Sequence, residues 1–144
     1  MKTSSAKAKG RKLQQWVASQ ISKVTGIPWG KDELIASREM GQTGVDIRLI
    51  GEALEKFPFS VECKRCEKLS IQSWIKQAKE NKLPNTDWLL IFRRSNEKAM
   101  IVMEAERFFM MIDRGDLCTD GKMKRKREPK SNYHKFLDEV GRKK

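Results

Sequence analysis

The sequence predicts an α/β fold: a mixed central sheet flanked by helices, in the order α-β-β-α-β-β-α, followed by a basic C-terminal tail. Three observations predict it. Apolar residues recur at three- and four-residue steps in three separate segments. Apolar and polar residues alternate over 45–50 and again over 59–64, the period of a strand. The run Trp88-Leu89-Leu90-Ile91-Phe92 is apolar throughout, as a strand buried on both faces must be.

The elements follow in order. Between residues 5 and 24, Leu13, Trp16, Val17, Ile21 and Val24 fall at helical spacing, and the other face is basic. Gly26 is suited to cap this helix, and Pro28 cannot continue it. Residues 33–40 have no decisive pattern. A glycine-containing loop, 41–44, feeds the first strand, 45–50. Residues 51–57 make a turn or short helical connection to the second strand, 59–64. Leu69, Ile71, Trp74, Ile75 and Ala78 predict a helix over 69–83, broken at Pro84. Strand 88–92, a polar turn and strand 99–103 come next. A helix over 104–112 is expected to turn Phe108, Met111 and Ile112 towards the sheet. Residues 113–129 read as a charged linker, and Tyr133, Phe136, Leu137 and Val140 place a short helix over 131–140. The expected organisation is a domain over 1–112 and a basic extension over 113–144.

The chain has 144 residues with 31 Lys and Arg against 19 Asp and Glu, a formal charge of +12. Its length fits one domain. No apolar run approaches the roughly 20 residues that span a bilayer, and no apolar stretch follows the N-terminal lysines as in a signal peptide. A soluble, cytoplasmic protein without a membrane partner is expected. The charge is uneven. Residues 1–24 contain six basic residues and no acid, residues 122–144 contain ten basic residues and three acids, and the middle is nearly neutral. Cationic tracts on either side of a neutral domain suit a nucleic acid. Lys9, Arg11 and Lys12 at one end, and Lys124, Arg125, Lys126 and Arg127 at the other, are the candidate contacts. Three cysteines make a disulfide framework improbable and fit a reducing compartment. Cys63 and Cys66 have CxxC spacing, with Cys118 and His134 as conceivable zinc partners, but Cys63 lies within a strand rather than a tight turn, which disfavours zinc.

Chemistry concentrates at Glu62-Cys63-Lys64. Strand alternation puts Glu62 and Lys64 on one face and Cys63 on the other. A carboxylate and an ammonium on an otherwise apolar strand are costly without partners or a task. If strands 45–50 and 59–64 pair, Asp46 approaches Glu62, and two carboxylates that converge repel unless a divalent cation lies between them. Mg²⁺ favours such a donor set, and the Cys63 backbone carbonyl is placed to join it.

Gly44-Val45-Asp46, then Glu62-Cys63-Lys64, then a helix over 69–83, resembles the PD-(D/E)xK nuclease superfamily across roughly residues 5–112. Within it, the stretches 37–46 and 57–64 look most like phage-encoded endonucleases and archaeal-type Holliday junction resolvases. The resemblance implies a restriction-endonuclease-like core and hydrolysis of DNA phosphodiesters with Mg²⁺ or Mn²⁺. It implies that Asp46 and Glu62 hold the metal, that Lys64 orients or helps deprotonate the attacking water, and that Gln77 stands beside the active site. Val45 replaces the proline of the superfamily's name. Resolvase-type members usually carry a Glu in the first helix as a further ligand; here Gln14 and Gln15 stand in that region, leaving Glu39, or else Glu33, as the third carboxylate. Arg65 and Lys68 are candidate phosphate contacts.

No base-reading module is visible, so DNA structure, such as a branch, is the expected target. Cutting two strands of a junction favours a two-fold homodimer, with apolar residues near Trp29 or in helix 104–112 as its candidate surface. A phage origin would place it in the host cytoplasm. The alternatives are a non-catalytic nucleic-acid-binding protein on the same fold and a sequence-specific restriction-type nuclease. An RNA role is disfavoured, because the aromatics fall mostly at core-like positions.

Overall fold

The first helix forms because its apolar residues fall on one stripe. In the computed structural model, which describes residues 3–39 and 41–115, α1 spans Thr3–Thr25 and buries Leu13, Val17, Ala18 and Ile21. Trp16 and Val24 flank that stripe and stay exposed. The end of α1 is fixed locally. The Thr25 hydroxyl donates to the Ile21 carbonyl at 2.8 Å, and Gly26 follows at φ 74°, a conformation that glycine adopts without strain.

The segment without a decisive pattern supplies a strand. β1 (Ile35–Ser37) pairs antiparallel with β2 (Ile47–Leu49), with Ile35 opposite Leu49 and Ser37 opposite Ile47. Ile35, Ile47 and Leu49 are all buried. A short helix, α2 (Glu52–Lys56), leads to β3 (Phe59–Arg65). α3 (Ile71–Asn81) then crosses over to β4 (Asp87–Arg93), parallel to β3. β5 (Met100–Val102) pairs antiparallel with β4, so this three-stranded sheet is mixed. The observed order therefore contains a strand and a short helix beyond the expected α-β-β-α-β-β-α.

The pairing of the first two expected strands is corrected as well. β2 takes β1 as its ladder partner and meets β3 through a backbone bond from Asp46 N–H to the Val61 carbonyl, 2.9 Å. The sheet is thus in two parts, joined at Asp46.

β3 has two unlike faces. Its register places Ser60, Glu62 and Lys64 beside Trp88, Leu90 and Phe92. Trp88 and Leu90 pack with Trp74 and Ala78 of α3, with Phe92 and Val102 against them. The opposite face carries Phe59, and Val61 and Cys63 beside Leu89 and Ile91; Phe59, Val61, Leu89 and Ile91 are buried. There Leu89 and Ile91 line a groove together with Val17 and Ile21 of α1. β4 is buried on both sides, as its unbroken apolar run requires. Ser60, a buried hydroxyl, is satisfied: it shares a 2.7 Å hydrogen bond with Thr86 and accepts the Leu83 N–H at 2.9 Å.

The described chain falls into two compact units, divided between Val102 and Met103. In the second, α4 (Ala105–Asp113) buries none of its residues, and Phe108, Phe109 and Ile112 are exposed. Lys124 to Arg127, Cys118, His134 and the expected helix over 131–140 lie outside the described residues. No described helix is long and apolar enough to cross a membrane.

Candidate active site

The C-terminal half of β3 carries the site. Alternation aims Glu62 and Lys64 at α3, and Asp46 reaches the same strand from the edge next to β2. Asp46 is bonded twice to β3. Its N–H donates to Val61, and its Oδ2 accepts the Cys63 N–H at 2.7 Å. In a strand, the N–H and C=O of one residue point to the same side. The Cys63 carbonyl therefore faces the edge where Asp46 stands.

Glu62 is buried, with a relative exposure of 3%. A buried carboxylate needs charged or polar partners. Lys64 Nζ lies 3.2 Å from its Oε1, and Asn81 Nδ2 donates to its Oε2 at 3.4 Å. Lys64 Nζ also donates to Gln77 Oε1 at 2.7 Å. Gln77 and Asn81 are one helical turn apart, so α3 presents both amides to the strand. The result is a connected row, Asn81–Glu62–Lys64–Gln77, that fixes the lysine ammonium beside a carboxylate.

Asp46 differs from Glu62 in its electrostatics. Burial pushes its carboxyl up to about 6 from an ordinary 3.8. The Cys63 N–H acts against this, the Glu62 charge adds to it, and Lys64 and Arg38 act against it again. Asp46 has no ion-pair partner among the described residues, whereas Glu62 has Lys64. The Asp46 and Glu62 oxygens, with the Cys63 carbonyl, are the kind of all-oxygen donors that could hold a hard divalent cation. The residues present fit such an ion. Burial also drives the Cys63 thiol well above its usual range, so it stays protonated. Cys66 is free, and its thiol donates to the Lys68 carbonyl.

Among the described residues, no three His, Cys, Asp or Glu side chains gather where they could hold an ion. Neither Glu39 nor Glu33 thus completes the expected carboxylate triad. The reason is register. Arg38, not Glu39, stands opposite Asp46, donating its N–H to the Asp46 carbonyl at 2.8 Å. Glu39 instead lines a cavity beside α1 that Gln15 also lines. Gln14 is buried, and its amide oxygen has no hydrogen-bond partner among the described residues.

The remaining expected contacts divide. Arg11, Lys12 and Lys68 are exposed. Lys9 is half-buried and helps hold the Glu67 carboxyl below its usual range, after the dominant hydrogen bond from Ser95. Arg65 is engaged within the protein: it donates to the Arg93 carbonyl at 3.1 Å and to Ser95 Oγ at 3.2 Å. It ties the end of β3 to the turn after β4.

Two residues of this neighbourhood escaped the sequence reading. Asn81 had a usable signal, its spacing of four from Gln77. Arg38 had none beyond its place before Glu39. Its guanidinium packs against Gly44, which sits at φ 101°; a Cβ there would come within 2.4 Å of Arg38 Nη1.

No curated protein and no solved structure matches the chain. A family model described as "phage putative PDDEXK endonuclease" matches residues 5–140. That match spans Asp46, Glu62 and Lys64 together with the helix that holds them, and the chain belongs to this phage PDDEXK endonuclease family.

Proposed function

We propose that the protein is a metal-dependent DNA endonuclease that selects DNA structure, with branched DNA of the Holliday-junction kind as its target. The observation that carries the reading is Asp46 bonded to the Cys63 N–H of β3, where the Glu62 charge acts on it, with Lys64 held between Glu62 and Gln77. Asp46, Glu62 and the Cys63 carbonyl would hold Mg²⁺ or Mn²⁺. When bound, the ion supplies positive charge to the scissile phosphate and acidifies water. Lys64 positions the attacking water and offsets charge that develops on the phosphate. Gln77 keeps the ammonium in place, and Asn81 keeps Glu62 turned towards it. Arg11, Lys12 and the tail cations hold the flanking phosphates, and Glu39 and Arg65 are assigned no part in the chemistry. A homodimer supplies two sites for two strands, and the host cytoplasm is the setting.

The test is cleavage of four-way junction, flap, nicked and plain duplex DNA with Mg²⁺, with Mn²⁺ and with EDTA. Junction cutting that needs the metal and falls at least about 10³-fold in Asp46→Asn is expected, the scale of a lost metal ligand or general base. Undiminished cutting by Asp46→Asn would sink the mechanism. Binding without cutting on every substrate would make the protein a non-catalytic binder, and a fixed ladder on plain duplex a sequence-specific nuclease.

A further inference from the structure

Trp29 is 40% exposed, unlike the buried Trp74 and Trp88. It lines a cavity of about 480 Å³ between α1, the turn after it and the β1–β2 pair. Arg11, Lys31, Arg38 and Arg48 line the same cavity, with Asp32, Glu39 and Gln42. No ion pair among the described residues consumes Arg11, Lys31, Arg38, Asp32 or Glu39. The turn that carries Trp29 is held firmly. Gly30 N–H donates to the Ile35 carbonyl at 2.9 Å, and Arg48 Nη2 donates to the carbonyls of Lys31 and Glu33 at 3.0 Å each. The aromatic ring is therefore presented by a braced loop.

The chemistry of this lining is specific in kind. An aromatic face stacks a nucleobase of any sequence. Free guanidinium and ammonium groups take phosphate. A carboxylate and an amide meet the polar edge of a base. The volume falls in the range of small-ligand sites, roughly 300–1,000 Å³, and a base can enter only if it is out of the duplex stack. Arg38 is common to the cavity and the catalytic pair: it lines the one, while its N–H bonds the Asp46 carbonyl and its charge acts on the Asp46 carboxyl.

We infer that this cavity receives one unpaired deoxynucleotide next to the scissile phosphate, its base against Trp29 and its phosphate on Arg11, Lys31 and Arg38. This rests on the nuclease reading and narrows it: the substrate is DNA with an unpaired nucleotide at the cut, as at a bulge, gap or branch.

The experiment is binding, without metal and at fixed salt, by the full chain. One probe is a duplex with a single bulged 2-aminopurine nucleotide; the other is the same duplex without the bulge. Wild type should prefer the bulged probe and quench its emission. Trp29→Ala should lower the preference, the ratio of the two affinities, roughly tenfold, towards the lower end of what aromatic stacking contributes per base. Trp29→Phe, which keeps an aromatic face, should retain most of it. An unchanged ratio in Trp29→Ala overturns the inference. So does a change of oligomeric state with the ratio intact, which would assign Trp29 to a subunit contact. If Trp29→Ala does not fold, the wild-type emission decides: no quenching on binding overturns the site. Because no cleavage is read, a failed Asp46→Asn test would remove the catalytic reading and leave this result standing. Absence of binding to any DNA would remove both.

Discussion

Glu62 and Val61 are neighbours in the chain, both almost fully buried, and they face opposite ways from β3. Val61 meets only the demands of packing beneath α1. Glu62 meets an ammonium and an amide on the other face. The comparison shows how one strand separates its duties. Period-two alternation lets the same backbone anchor a core with one set of side chains and hold a charged row with the other. The polar face has the costlier arrangement, because a buried carboxylate is tolerated only with its partners in place.

The largest expected effect is on the reactive side. Glu62→Gln keeps the shape and removes the charge. Cleavage at saturating DNA should drop about 10²–10³-fold while the unfolding midpoint moves little. Equal losses of stability and activity would break the division of labour. On the packing side, Val61→Ala should destabilise by about 2 kcal/mol through lost contact and a residual cavity, read in a denaturant melt. Its cleavage rate per folded molecule should stay close to wild type.

Asp46 gives a sharper test of the reactive side. Its carboxyl titrates near 6 in the folded chain and near 3.8 in an ordinary setting. Between those values the folded state binds the extra proton, so this group favours folding more as pH falls through 6 and disfavours it as pH rises. In metal-free protein at pH 7, Asp46→Asn should therefore raise stability by about 1–2 kcal/mol. It should also abolish the part of the pH dependence between about 4 and 6. A less stable Asp46→Asn at pH 7 would show that the carboxylate is better compensated than its surroundings indicate.

Smaller effects follow from the amides. Gln77→Ala removes the acceptor that holds Lys64 and should slow cleavage by about tenfold, the lower range for groups that orient a ligand or base. Gln14→Leu replaces a buried amide whose oxygen is unpartnered. It should stabilise the metal-free protein by about 1 kcal/mol. A destabilised Gln14→Leu would show that this oxygen has a partner in solution.

What was legible in the sequence was whatever depended on local period. α1, the doubly buried β4 and the shared face of Glu62 and Lys64 follow from spacing alone, and the superfamily resemblance supplied Gln77. What was not legible depended on partners distant in the chain. β1 has three residues between polar loops, too few to show alternation, and exists because Ile35 and Ser37 find Leu49 and Ile47. The same pairing put Arg38 rather than Glu39 opposite Asp46, a one-residue difference of register that pattern cannot supply. The exposure of Trp16 was hidden for a similar reason. An aromatic at helical spacing reads as core until its neighbours are known.

The seam between the two parts of the sheet passes through Asp46. On one side is the β1–β2 pair; on the other is the β3–β4 ladder, and Asp46 bridges them with its own N–H and with the carboxylate that accepts the Cys63 N–H. A cation shared by Asp46 and Glu62 would thus act as a rivet across that seam as well as a reagent. Amide hydrogen exchange would register it as slower opening of Asp46 and Cys63 in the loaded protein, against a β3–β4 ladder whose protection is set by its own pairing. On the proposed reading, the same ion would also hold the two parts of the sheet in register, and a protein stripped of metal would loosen first at Asp46.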